Sequence, residues 1–213
     1  MLTIGSPYLQ FPFISAQFRR AKMAGATAKT AKIVELKPID ATTESFAEFG
    51  QVVSASRDGE EFGPQDAQLE LHRGIPRFYI MHLEDREAKF SKITHHASVT
   101  QCLGSATSEE WFLGVAKPSI VEGTHASDGD EQTYAQSQCG HLYLPPSPDD
   151  VQMFRVTGSK FLKLNRGTWH AGPLSKRKAM DFYNLELSDT NNMLENIKCL
   201  GRMGSLQEVG EHL

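Results

Sequence analysis

Apolar and polar residues alternate with a period of two through most of the chain, which is the pattern of half-buried β-strands. Turn-forming pairs such as Asp58-Gly59 and Gly158-Ser159 separate the alternating runs at the spacing of a β-sandwich or barrel. No helical segment of 10 to 15 residues lies between these runs, which excludes a parallel sheet of βαβ units. We therefore predict a mainly β fold. Its predicted strands are 78–83, 99–103, 111–116, 141–144, 151–156, 161–164 and 179–187.

A short strand over 32–36 and a short N-terminal helix over 40–50 are predicted to precede these strands. Asp40 or Thr42 can cap the helix, because both side chains accept hydrogen bonds from free amides of a first turn. Gly50 can end it in the left-handed conformation that glycine tolerates.

The charge is distributed unevenly along the chain. Residues 1–34 contain five Lys and Arg and no acid, so they carry +5 in a chain of net charge -4, and the remainder carries -9. An acid-free segment with many hydroxyl groups is typical of organelle transit sequences, and a plain disordered tail is the alternative. We divide the chain into a flexible or targeting segment 1–31, a folded domain 32–192 and a C-terminal tail 193–213 with a small helix near 193–200.

Composition excludes several classes of protein. Hydrophobic residues make up 39% of the chain and charged residues 23%, which suits a folded core. No run approaches the roughly 18 apolar residues of a membrane span, and no basic excess favours nucleic acid. Cys102, Cys139 and Cys199 are too widely spaced for a zinc knuckle or a disulfide framework. We expect an intracellular protein, in the cytoplasm or in an organelle reached through the N-terminal segment.

Two segments concentrate side chains that can carry chemistry. One contains His95, His96 and Gln101, and the other contains Trp169 and His170. Inward side chains of neighbouring strands meet at the mouth of a small barrel, so the two segments can share one cavity. The alternative is structural: one of the adjacent histidines is solvated while the other packs, and Trp169 is a core residue beside an incidental histidine.

Together, several motifs resemble the ureidoglycolate lyase family, also called ureidoglycolate hydrolases. They are Lys32 to Gly50 followed by Gln51-Val52-Val53, Arg77-Phe78-Tyr79, His96-x4-Gln101, Arg166-x2-Trp169-His170 and Asp181-Phe182. The similarity runs from about residue 32 to about residue 192. It implies a cupin-type double-stranded β-helix, or jelly-roll barrel, that forms a homodimer. It also implies an enzyme that splits ureidoglycolate into glyoxylate and urea in purine catabolism.

The implied elimination needs a cation for the substrate carboxylate, a base for its hydroxyl proton and an acid for the departing urea. His170 is the expected base, His96 the acid or an orienting group, and Gln101 a positioning group. The small carboxylate substrate is expected to be bound by Arg77, Arg166, Trp169 and His95.

The catalytic candidates can also be interpreted as a metal site. Cupins commonly place metal ligands at the positions of His96, Gln101 and His170. Neutral imidazoles suit nickel, zinc or iron, but two of them are one ligand short of a typical catalytic site unless His95 contributes. We expect one divalent metal ion or none.

Departures from the family pattern leave other functions open. Asn165 and Ala171 stand where the family pattern has histidine, and neither side chain has the proton or metal chemistry of imidazole. A non-catalytic cupin module that binds a small carboxylate or sugar acid is therefore the alternative. A sugar isomerase needs a fuller set of metal ligands. A nucleophile at Cys139 beside His141 is disfavoured because no acid orients the histidine.

Overall fold

The structure is a computed structural model that describes residues 34–86, 88–121, 134–137, 140–190 and 195–203. All of them belong to the compact unit Ala31–Leu213. Within these ranges the chain forms fifteen β-strands and one 3-10 helix, so the prediction of a mainly β fold is confirmed. The same ranges contain no helix with the length and apolar character needed to cross a membrane.

The strands are β1 (Val34–Leu36), β2 (Pro38–Asp40), β3 (Gly50–Ser54), β4 (Pro76–Glu84), β5 (Lys89–His95), β6 (Gln101–Ser105), β7 (Trp111–Ala116), β8 (Ile120–Val121), β9 (Ala135–Gln136), β10 (Leu142–Tyr143), β11 (Gln152–Val156), β12 (Lys160–Leu164), β13 (Trp169–His170), β14 (Ala179–Leu187) and β15 (Glu195–Met203). The 3-10 helix is Pro148–Asp150. The bounds of β7 and β14 are those that the alternating pattern predicts.

Hydrogen bonding joins these strands into two large sheets and one small sheet. The first sheet has the order β1-β15-β5-β13-β7-β11-β2 and the second has the order β3-β12-β6-β14-β4. The small sheet has the order β8-β10-β9. Among the described strands only the pairs β1–β15 and β2–β11 are parallel, as expected for a fold without βαβ units.

The main core lies between the two large sheets, and we call the facing sides of these sheets their inner faces. Trp111, Leu113 and Val115 of β7 belong to this core, which also contains residues of β6, β12 and β14. Phe112 and Ala116 point to the opposite, outer face of the first sheet and belong to a second buried cluster. Because both faces are covered, β7 is buried along its whole length. The two-sheet packing is a β-sandwich, and the finer assignment to the cupin fold stays a prediction.

The predicted helix over 40–50 is wrong, because residues 43–49 form consecutive turns instead. The backbone N–H of Ser45 does bond to the predicted cap Thr42. The amides of Phe49 and Gly50 both bond to the carbonyl of Phe46, so one acceptor serves two donors and no regular helical ladder forms. Burial of Phe46 and Phe49 against the core stabilises the turns, since most of the stability of such a short segment comes from tertiary packing.

The predicted C-terminal helix is also wrong, because Glu195–Met203 forms strand β15. This strand pairs with β5 on one side and β1 on the other. Ile197, Cys199 and Met203 repeat at even spacing in the sequence, which is a strand pattern interrupted at Leu200. The register of β15 against β5 shifts between Lys198 and Gly201, which brackets that interruption. Tertiary pairing and a β-bulge thus explain a segment whose periodicity looks irregular.

Candidate functional site

The inner face of the second sheet changes from apolar to polar along its length. Met180 and Phe182 of β14 lie in the core, whereas Asn184 and Glu186 continue the same face as buried polar residues. Glu186 lies opposite Arg77 of β4 in the register. An uncompensated buried carboxylate is costly, so this end of the sandwich requires its own polar partners.

Those partners form a network that we call the inner polar cluster. Its members are Arg77, Tyr79, Gln101, Asn184 and Glu186. Gln101 donates through Nε2 to Asn184 Oδ1 at 3.0 Å and to Glu186 Oε2 at 3.4 Å. Asn184 donates through Nδ2 to Tyr79 Oη at 2.9 Å and to Glu186 Oε2 at 3.1 Å. The structure thus connects two predicted site residues, Gln101 and Arg77, through Asn184 and Glu186.

Arg77 lies at the solvent-exposed side of the inner polar cluster. Its guanidinium lies 3.8 Å from the centroid of the Tyr79 ring, and its Nη1 atom is 3.4 Å from Glu186 Oε1. The Arg77 side chain is 45% exposed, whereas that of Glu186 is 4% exposed. Arg77 therefore compensates the buried carboxylate and still presents guanidinium donors at the surface.

A pair of histidines lies on the inner face of the first sheet. His170 of β13 lies opposite Thr94 and Val115, which places its side chain on the same face as the core residue Val115. The ring of His96, just after β5, has its centroid 5.1 Å from that of His170. Both side chains are buried. Of the three residues predicted to share a cavity, the structure pairs His96 with His170, and it joins Gln101 to Asn184 and Glu186.

The environment of this pair keeps both rings neutral near neutral pH. Burial lowers the pKa of His170 to about 4. Burial and the neighbouring His170 lower the pKa of His96 well below its ordinary value. His170 Nδ1 lies 3.3 Å from the carbonyl oxygen of Thr168, so this nitrogen carries the hydrogen and Nε2 offers a lone pair. A neutral ring with a free lone pair can accept a proton or ligate a metal.

The structure does not bring His95 and Trp169 to this pair, although both are predicted to bind substrate. Both are fully buried on the outer face of the first sheet, with ring centroids 4.0 Å apart. His95 Nε2 lies 3.0 Å from His141 Nε2, and Trp169 donates through Nε1 to Ser119 Oγ. Burial lowers the pKa of His95 to about 3, so it does not supply a cation near neutral pH. Successive residues of a strand point to opposite faces. His95 is therefore separated from its sequence neighbour His96, and Trp169 from His170.

Arg166 and the two departures from the family pattern have other surroundings. Arg166 Nη1 lies 3.9 Å from Glu70 Oε2. Asn165 accepts a hydrogen bond from Lys163 Nζ at 2.8 Å. Ala171 is buried in the outer cluster of the first sheet, on the face opposite to His170. The absence of histidine at Asn165 and Ala171 therefore leaves the His96–His170 pair intact.

The donor set falls short of a complete metal centre. In the part of the chain that the structure describes, no three His, Cys, Asp or Glu residues are grouped so that they could hold a metal ion. Gln101 could add only an amide oxygen to His96 and His170, and its amino group is engaged by the inner polar cluster. Catalytic zinc sites use three protein ligands of the nitrogen, sulfur or carboxylate type. Cys139 of the alternative nucleophile lies outside the described residues, and His141 contacts Ser137 and His95.

A scan of the chain against models of known protein families and a search of curated proteins both return no match. Neither of these two comparisons assigns the chain to a family. The function is therefore argued from the residues of the site and their geometry.

Sequence reasoning missed Tyr79, Asn184 and Glu186 as site residues. A signal for the last two was present, because positions 180, 182, 184 and 186 of one strand share a face. Met180 and Phe182 are apolar, whereas Asn184 and Glu186 on the same face are polar. This change indicates that the apolar core ends before residue 184. The missed residues are therefore those that link Gln101 to Arg77.

Proposed function

We propose that the protein is a ureidoglycolate lyase-like enzyme that eliminates urea from ureidoglycolate and forms glyoxylate. The observation that carries the proposal is the buried, neutral His96–His170 pair, in which His170 belongs to β13 and His96 directly follows β5. The Arg77 guanidinium at the surface of the inner polar cluster supplies the positive charge that a carboxylate substrate requires.

In the proposed reaction, His170 acts as the proton-transferring group. Its Nε2 lone pair takes the hydroxyl proton while the carbon–oxygen double bond of glyoxylate forms and the carbon–nitrogen bond breaks. The imidazolium so formed returns that proton to the departing nitrogen, which completes urea. The hydrogen bond from Nδ1 to the Thr168 carbonyl fixes the tautomer that this step needs and stabilises the transient cation.

His96 is assigned the orienting role and not that of the acid. Its lowered pKa leaves it neutral near neutral pH, and a neutral imidazole is a poor proton donor. As a neutral ring it can donate an N–H hydrogen bond to a substrate oxygen. Arg77 is preferred to Arg166 for the substrate carboxylate, because Arg77 belongs to the cluster that contains Gln101.

A non-catalytic module that binds a small carboxylate or sugar acid is the second candidate. It is favoured by the pKa of His170, which at about 4 makes this residue a weak base. Such a module would retain Arg77 and the inner polar cluster as its binding groups without proton transfer.

Glyoxylate release from ureidoglycolate, measured with and without a chelator, distinguishes these candidates. The proposed enzyme releases glyoxylate at a rate proportional to protein concentration. Binding of ureidoglycolate without release would identify the binding module. Loss of release after chelation, restored by nickel, zinc or iron, would show that a divalent metal participates; unchanged release is expected, because His96 and His170 supply only two strong ligands.

We also propose that the protein forms a homodimer, as its resemblance to the ureidoglycolate lyase family implies, and that the outer face of the second sheet forms the interface. Trp111, Phe112 and Leu113 need no partner, since the chain itself buries them. The outer face of the second sheet instead exposes Phe78 and Tyr183, whose rings stack with centroids 5.9 Å apart. Exposed apolar surface of this kind is typical of protein interfaces. Light scattering that shows a concentration-independent monomer of 23.7 kDa would contradict the dimer.

A further inference from the structure

The inner polar cluster contains a buried acceptor that its own members leave unsatisfied. Gln101 is 6% exposed, and its Oε1 atom has no hydrogen-bond partner among the described residues. The neighbours of the amide determine its orientation, because Asn184 Oδ1 and the Glu186 carboxylate, which is paired with Arg77, both accept hydrogen bonds from it. The amino group must therefore face Glu186, and Oε1 must point elsewhere. Buried acceptors of this kind ordinarily have a donor.

The Glu186 carboxylate is a second hydrogen-bond acceptor in the cluster, in addition to Gln101 Oε1. Its Oε2 atom receives Asn184 at 3.1 Å and Gln101 at 3.4 Å, and its Oε1 atom receives Arg77 at 3.4 Å. All three contacts are longer than the usual length of charge-assisted hydrogen bonds, about 2.7–2.9 Å. A carboxylate has about four lone-pair sites, so capacity for a further donor remains.

We propose that the inner polar cluster is a subsite for a ureido group, and this inference rests on the proposed function. A ureido group is planar and carries N–H donors at both nitrogens, which suit Gln101 Oε1 and the Glu186 carboxylate. The negative charge of Glu186 repels the carboxylate end of the same ligand, which is directed toward the exposed side of Arg77. The cluster thus distinguishes the two ends of the substrate.

Two non-reactive ligands test this subsite without any turnover. N-carbamoylglycine and N-acetylglycine share the glycine carboxylate. They differ only at the other end, where the first has an amino group and the second a methyl group. Calorimetric titration of the full-length protein should show N-carbamoylglycine binding at least about tenfold more tightly, the usual effect of a hydrogen bond to a charged acceptor. The variants Gln101→Leu and Glu186→Gln should reduce this preference to less than about threefold.

Asp181→Asn is the matched control, because Asp181 lies on the outer face of the same strand and contacts His82. It should retain the tenfold preference. Thermal unfolding checks that each variant is folded, and Gln101→Leu decides the result if Glu186→Gln does not fold. Equal affinity for the two ligands, binding of neither, or a preference that survives in Gln101→Leu overturns the subsite. A full preference without glyoxylate release from ureidoglycolate supports the subsite and overturns the proposed lyase.

Discussion

At the scale of single residues, the structure separates side chains that the sequence places next to each other. His95 and His96 are adjacent, yet one packs on the outer face of the first sheet and the other lies beside His170 on the inner face. Their residue types make all of these histidines candidates for the site, and a strand places neighbouring side chains on opposite faces. The sequence could not indicate which face each histidine takes, since strand β5 was not predicted and the phase of its alternation was therefore unknown.

Burial of neutral histidines predicts that stability decreases in mild acid. The pKa values of His170, about 4, and His95, about 3, lie below that of an unfolded histidine, near 6.5. Between about pH 6.5 and pH 4 the unfolded chain binds more protons at these histidines than the folded protein does. The free energy of unfolding therefore decreases as the pH is lowered, by up to about 1.4 kcal/mol per pH unit for each histidine. Urea unfolding at several values of pH measures this slope.

Substitutions of single histidines test which of them causes the pH dependence of the free energy of unfolding. His170→Gln should flatten the decrease of unfolding free energy between pH 6.5 and pH 4, whereas His72→Gln, at an exposed position, should leave it unchanged. A free energy of unfolding that is independent of pH in this interval would contradict the neutral, buried state of these rings.

At the scale of elements, local patterns predicted the long, regularly alternating strands well, but they missed internal strands such as β5 and β13 as well as β15. The six residues of β7 and the nine of β14 match the predicted bounds, because their regular alternation agrees with their burial. The turns at 43–49 and strand β15 differ from prediction, because tertiary packing and pairing with distant strands determine their conformation. Such long-range partners are not visible in a short window of sequence.

Gly50 shows how the close approach of two strands constrains one residue. It begins β3 with a φ of 159° and is not the left-handed end of a helix. A Cβ atom at this position would overlap the carbonyl oxygen of Lys163 on the paired strand β12. We expect Gly50→Ala to lower the free energy of unfolding by about 2–3 kcal/mol. Neither the new Cβ atom nor the Lys163 carbonyl oxygen can move away without a shift of the backbone.

Gly172→Ala is the control for this substitution. A Cβ atom at Gly172 would meet its nearest neighbour, Arg86 Nη1, at an ordinary 3.7 Å. Its effect on the free energy of unfolding should stay within about 0.5 kcal/mol. Chemical denaturation of both variants measures the difference, and equal stability of the two would disprove the close approach at Gly50.

At the scale of the whole molecule, the sequence predicted the mainly β fold and, as separate candidates, two members of the inner polar cluster, Arg77 and Gln101. Core formation between two sheets follows from the number and alternation of the strands. The inner polar cluster was only partly predicted, because it assembles Tyr79, Gln101 and Glu186 from three strands whose pairing order is set by the whole fold. Segments 1–33 and 204–213, with the predicted targeting segment and most of the tail, lie outside the described residues.

The N-terminal segment is predicted to be dispensable for folding. Residues 1–30 contain no acid and no long periodic apolar face with which to dock on the domain. Their deletion should leave the Tm unchanged within error in a calorimetric scan. A longer deletion through Leu36 removes β1, which pairs with β15, and should lower the Tm. A decrease of several degrees after the shorter deletion would contradict this prediction.

The central claim is that His170 transfers the proton in the elimination of urea, and the turnover number for glyoxylate release tests it most directly. His170→Gln and His170→Ala should each lower kcat by about 100-fold or more, while the exposed control His72→Ala should retain the wild-type value. Circular dichroism confirms that the compared variants are folded. Wild-type kcat in a folded His170 variant, or no glyoxylate release by the wild-type protein, would contradict the claim.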